Sequence, residues 1–296
     1  MSYLPFAILA QLLNSIAVTV DKFLLTKTIP DPLIYIFYFS LISLLALLVI
    51  PFVPLPTTYV LILGSISTLA WTAGAYLMFK VLKQGQIQRV IPVIGALTPI
   101  FLLIFAFQSL SIVQIEAIAI LIAGLLFLTL PDLKGRFNKQ ELVMEIISAL
   151  FFAVSYYLLR LAFEKQSFLT VLVWSKPVLI PLGMGIFIIP SLRKKILSFL
   201  GLNNSKPGKG AFLFIFGQIS AAASELLLTF SISLANPAIV NSLQGLKYVF
   251  LLIFSLILGK RFPQIFKNNF RGFYALIQIL GVGLIGVGLY LLSGST

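Results

Sequence analysis

The stretch NPAIVNSLQGLKYVFLLIFSLILGK, from Asn236 to Lys260, decides how this chain is read. At ~1.5 Å per residue a helix of this length crosses a bilayer core of roughly 30 Å, yet it carries Lys247 near its middle. A charge at that depth costs on the order of 3 kcal/mol on insertion scales, so it faces a partner or a wet cavity and marks a pathway. Asn241, Gln244 and Tyr248 fall at i, i+3 and i+7, which puts two amides and a phenol on one face with Lys247 beside it. The expectation is a polar stripe lining a solute cavity, inside a box of helices built to enclose it.

Composition demands such a box. Hydrophobic residues make up 60% of the 296, charged residues 10%, and the mean hydropathy is +1.09. Apolar runs of about twenty residues repeat from end to end, which describes a polytopic membrane protein rather than a soluble domain with an anchor. The runs do not alternate as the strands of an outer-membrane barrel would. There is no Cys and no His, which excludes thiol nucleophiles, disulfides and zinc or haem held by those residues, so no cofactor is expected. Proton chemistry is left to carboxylates, lysines and tyrosines. The opening MSYLPFAILAQ lacks a basic n-region and a small-residue cleavage site, so it reads as a retained first helix.

The fold class expected is an all-α integral membrane protein of ten transmembrane helices: 4–26, 32–53, 58–80, 89–108, 112–130, 141–163, 167–190, 211–234, 237–259 and 270–293. A first five-helix unit covers 1–131, a linker 132–140, and a second five-helix unit 141–296. IPVIGALTPIFLLIFAF from Ile91 and NSLQGLKYVFLLIFSLI from Asn241 correspond, each preceded by a Gly- and Ser-bearing helix (GSISTLAWTAG from Gly64, GQISAAASE from Gly217) and followed by a Gly-bearing one. An odd number of spans inserts the second copy upside down, and inverted repeats hold their solute site at the interface near the midplane.

The net charge of +13 does not signal nucleic acid, because its distribution follows the membrane. The odd-numbered connections hold 2, 3, 3, 5 and 4 Lys/Arg, 17 of the 21, whereas the opposite face has only Arg160 and Lys165. By the positive-inside rule the odd connections are cytoplasmic and both termini lie outside a plasma (inner) membrane. Arg193-Lys194-Lys195 reads as a topology determinant, with anionic-lipid contact as a second use.

The stretch AYLMFKVLKQGQIQRVIPVIGALTPIFLLIFAFQSLSIVQIEAIAILIAGLLFL, Ala75 to Leu128, resembles the EamA-type repeat of the drug/metabolite transporter superfamily, with a second copy over Leu226 to Leu292. The resemblance implies an inverted-repeat bundle that moves small metabolites by alternating access through a cavity near helices three, four, eight and nine. This family often carries Glu after the fourth helix of each repeat, where this chain has Gln108 and Lys260, and mostly keeps both termini cytoplasmic.

Three ionisable residues sit near mid-span: Lys176 in the seventh, Glu225 in the eighth and Lys247 in the ninth. A Lys–Glu pair holding helices together is the structural alternative to a solute site. Even then one cation is left over, which favours a solute with an anionic group or a lysine held neutral. Glu225, as the central carboxylate, is the candidate for proton coupling. Gln11 and Asn14 place amides in the first helix, either in the cavity or as interhelical glue. Trp71 packs a core or walls the cavity. Thr98-Pro99 and Lys176-Pro177 are expected to break backbone bonding at depth. GVGLIG, Gly281 to Gly286, matches G-x-G-x-x-G only formally, since it lies in an apolar helix; close helix packing, with Gly281 and Gly288 on one face, accounts for it.

The reading is a secondary transporter for a small polar or amphipathic metabolite, with the bilayer and the solute as its partners. A flippase for an anionic lipid carrier would use the same buried lysines. A membrane-embedded enzyme has no metal cluster, dyad or triad to work with, and a scaffold or receptor would not need charges at three midplanes.

Overall fold

The computed structural model describes residues 2–27, 31–85, 87–106, 110–129, 138–199, 210–262 and 272–294. Gln108, most of the 132–140 linker and Thr296 lie outside them. The described residues are helical throughout: α1 Leu4–Lys27, α2 Pro32–Ser43, α3 Thr58–Gln84, α4 Ile87–Ala106, α5 Ile112–Thr129, α6 Lys139–Phe163, α7 Phe168–Trp174, α8 Leu179–Ile188, α9 Pro190–Phe199, α10 Gly210–Leu234, α11 Pro237–Ser242, α12 Gln244–Leu258 and α13 Gly272–Gly294. Past Ser43 the chain tightens into a 3-10 segment, Leu44–Phe52, that includes Pro51. Nine segments among the described residues are long and apolar enough to cross a membrane, and Val90–Ala106 of α4 is a shorter apolar helix. Large apolar side chains such as Leu48, Ile104, Ile112 and Phe212 are exposed, which water would not tolerate but lipid does. The chain is a multi-pass membrane protein.

Local signals set the helix starts. Asp31 accepts from the Leu33 N–H ahead of Pro32, Thr57 from Val60, Asn138 from Gln140, Ser167 from Thr170, and Asn236 from Ala238 ahead of Pro237. Two linker residues expected before the sixth span, Lys139 and Gln140, are already in α6. The basic connection after the seventh span forms α9, which docks on α2 through a Tyr38 hydroxyl bond to the Ile196 carbonyl at 2.7 Å. Lys195 of that helix pairs with Asp31 at 3.1 Å, in an exposed position.

The bundle is held by pairs of helices. α3 packs on α6, α1 on α10, α5 on α13, and α4 on both α6 and α11. The first two pairs are antiparallel and joined by serines, which add hydrogen bonds where lipid offers none. Ser148 donates to the Gly74 carbonyl (2.8 Å) and Ser67 to Ser155 (2.9 Å); Ser224 donates to Ala10 (2.8 Å) and Ser231 to Tyr3 (3.4 Å). The α5–α13 pair is closer still. A Cβ on Gly281 would lie 2.6 Å from the Leu128 nitrogen, and one on Gly288 would lie 2.6 Å from Leu121 Cγ, while Gly283 and Gly286 face open space. Helix packing thus explains the glycines of GVGLIG.

Candidate functional site

The seventh span is interrupted at mid-depth. α7 stops at Trp174 and α8 begins at Leu179, with Lys176 and Pro177 in the gap. Proline cannot donate, and the backbone there bonds i→i−3, Lys176 N–H to Val173 (3.2 Å) and Leu179 N–H to Lys176 (2.9 Å). Gly64 of α3 lets that break approach, since a Cβ on it would meet the Ser175 Cβ at 3.1 Å.

Beside the break, the Lys176 ammonium and the Glu225 carboxylate of α10 attract one another. The Trp71 indole N–H of α3 donates to the Tyr156 hydroxyl of α6 at 3.4 Å, beside Glu225. Phe39 stacks on Trp71 at 4.6 Å between centroids, and Phe152 meets it edge-on at 5.7 Å. Helices from both halves therefore bring Lys176 and Glu225 within electrostatic reach of one another, without a direct ion pair between them. Lys176, Glu225 and Trp71 are each only half-buried, so the pair keeps accessible surface at mid-span. Trp71 packs against the Phe39 and Phe152 rings, with its indole edge toward Tyr156.

The polar stripe forms a second cluster. The span expected as one helix from Asn236 to Lys260 is two, α11 and α12, meeting at Leu243, where Leu246 N–H reaches back to Leu243 at 3.0 Å. Gln244 Nε2 donates to Asn241 Oδ1 (3.1 Å), and Lys247 Nζ to Gln244 Oε1 (3.4 Å), so amides and ammonium form a chain along one face. Lys247 Nζ also stands 5.4 Å from the Tyr248 ring centre. Lys247 is 6% exposed and Tyr248 3%. The stripe faces α4, where Gly95 leaves room: a Cβ there would fall 2.6 Å from the Tyr248 hydroxyl. That hydroxyl has no hydrogen-bond partner among the described residues, and no acid among them pairs with Lys247. The cation left over after the Lys176–Glu225 pair is Lys247.

Other expectations turn out differently. No described hydrogen bond or ion pair joins the two clusters. Asn14 is half-buried on α1 without a described hydrogen bond to either, and Gln11 is buried with its carbonyl oxygen unpartnered. Thr98-Pro99 does not interrupt α4, because the Thr98 hydroxyl bonds the Ile94 carbonyl at 2.8 Å and the helix runs on to Ala106.

Sequence reasoning missed Tyr156, which reads as one more aromatic in an apolar span, and it missed both bundle ends. Lys22, counted among the basic residues of the first connection, and its neighbour Asp21 both lie inside α1 and are buried. A cleft of 410 Å³ opens at the other end between α4, α6 and the α10–α11 junction, lined among others by Phe105, Tyr157, Arg160 and Asn236. A second groove, of 470 Å³, is lined by Lys80, Gln84, Lys139 and Met144, and holds neither cluster.

The fold and these clusters define a helical multi-pass membrane protein with ionic groups at mid-span. No family model matches the chain, and no curated protein matches it. Among solved structures, one crystal structure is similar over 95% of this chain and 95% of its own, with a TM-score of 0.53 and 14% identity, a likeness of fold alone.

Proposed function

We propose that this chain is a secondary transporter of the EamA type, within the drug/metabolite transporter superfamily, moving a small metabolite with an anionic group by alternating access. One observation carries the reading: Lys176, partly accessible, sits at a helix break in the middle of the bundle, within electrostatic reach of Glu225. Broken helices at depth are tolerated where they line a cavity, and they mark substrate sites in inverted-repeat transporters. The donors along α11 and α12 supply a second element, Lys247 with no acid to balance it, suited to a carboxylate or phosphate on the solute.

The pairing of helices supports ten spans in two inverted copies. α7–α8 counts as span seven and α11–α12 as span nine. Exchanging each span with the one five places on turns the α3–α6 pair into the α10–α1 pair, and it maps the α5–α13, α4–α11 and α2–α8 pairs onto themselves. The Lys/Arg bias supports a plasma (inner) membrane orientation with both termini outside.

The test is uptake by purified protein in sealed vesicles from a defined mixture of carboxylate- and phosphate-bearing metabolites, read by mass spectrometry. Lys247→Ala is expected to abolish uptake of whichever component the native protein concentrates, while the variant remains folded. Equal uptake by the variant, or no component taken up above protein-free vesicles, overturns the reading.

A further inference from the structure

We infer that Lys22 and Arg160 are a matched pair of gate-holding residues, each tying the end of one helix to the carbonyl terminus of another, at opposite ends of the bundle. The inference rests on the transport reading above. Lys22 Nζ, near the end of α1, donates to the carbonyls of Leu82 (2.8 Å) and Gly85 (2.7 Å), where α3 ends. Arg160 Nη1, near the end of α6, donates to the carbonyls of Ile232 (3.0 Å) and Ser233 (2.9 Å), where α10 ends. Both cations satisfy last-turn carbonyls and sit at the negative pole of the helix they grip. In chain order the first helix of each half holds the third helix of that same half.

The two contacts lie at opposite ends. Lys22 reaches the finish of α3, whereas Leu159 and Ala162, flanking Arg160, pack on Val60 at the start of α3. Their surroundings differ accordingly. At the Lys22 end, Tyr35 contacts Phe79 (4.7 Å) and Phe214 (5.6 Å), and Tyr38 contacts Phe214 (5.4 Å), closing the space between α2, α3 and α10. Buried Asp21 accepts from the Tyr35 hydroxyl, so the seal is hydrogen-bonded as well as apolar. Lys22 is 8% exposed. At the other end the Arg160 side chain is 28% exposed, shares its Nε–H with Glu164 at 3.1 Å, and borders the 410 Å³ cleft. The Lys22 contact lies beneath the aromatic seal, with the 470 Å³ groove of the same end running outside it between α3 and α6, while its counterpart borders the cleft between α6 and α10, as two gates of a rocking bundle would in one of its two states.

The chain has no cysteine, so single introduced thiols report each end cleanly. Val81→Cys places a thiol in the last turn of α3, where Val81 is fully buried, and Leu234→Cys places one in the cleft. In permeabilised vesicles, with a membrane-impermeant maleimide, Lys22→Gln is expected to raise the labelling rate at position 81 about tenfold and to lower it at position 234. Lys22→Arg keeps the donors and is expected to restore native protection at both. Unchanged labelling in Lys22→Gln overturns the inference while leaving the transport reading intact, since no solute is involved. A rise at both positions, which signals general loosening, overturns it too.

Discussion

Two ammonium groups, those of Lys176 and Lys247, sit near mid-span, and their neighbours set them apart. Lys176 faces Glu225, so removing either partner strands the other in a partly desolvated place. Lys176→Ala is expected to cost about 1–3 kcal/mol, less than a dry pair would because both side chains keep accessible surface. Lys176→Met combined with Glu225→Gln is expected to recover much of that loss. Thermal unfolding of the three variants in detergent checks it: if the double variant is as unstable as the sum of the singles, the two groups are not coupled. Tyr156→Phe removes the hydroxyl that accepts from the Trp71 indole but not the ring; it is expected to leave the melting temperature within a few degrees of native and to slow transport, because the indole beside Glu225 loses its hydrogen-bond acceptor.

Among the elements, the break between α7 and α8 and the α5–α13 crossing make opposite demands. The break exists because Pro177 has no N–H and Lys176 needs a polar setting; Pro177→Leu is expected to lengthen the helix, raise thermal stability and reduce turnover. A variant that is more stable and equally active would show that the break serves no motion. The crossing needs bare backbone instead. Gly281→Val pushes against the Leu128 nitrogen and is expected to destabilise by about 1–3 kcal/mol, whereas Gly283→Ala and Gly286→Ala, two and five residues on, meet nothing and are expected to be neutral or slightly stabilising. Melting curves of the three variants distinguish a packing role from a shared glycine motif, which would make all three costly.

For the whole molecule, the asymmetry of 17 basic residues against two in the opposite connections is expected to govern insertion. Reporter domains fused after Thr296 are expected to be active only outside the membrane; activity in the cytoplasm reverses the orientation without touching the fold. Much of the architecture was legible in the chain. Apolar run length marks a span because a bilayer has a fixed thickness, and caps such as Asn236-Pro237 and Thr57 mark where runs begin. The ionic residues of the interior were legible for the same reason: Lys176, Glu225 and Lys247 are costly in lipid, so each announces itself.

Which of them meet was not legible, because pairing depends on helix rotation and neighbour, and periodicity fixes neither. Nothing in one span says that Glu225 turns to Lys176 rather than Lys247, that Gly95 clears space for the Tyr248 ring, or that Lys22 reaches back to Leu82 sixty residues away. The sequence by itself determined a many-span membrane protein with charges it must shelter, since hydropathy and length act locally. The tertiary structure alone decided that, among the described residues, Glu225 lies within electrostatic reach of Lys176 while Lys247 has no acid beside it, because attraction acts through space between helices the chain order keeps apart.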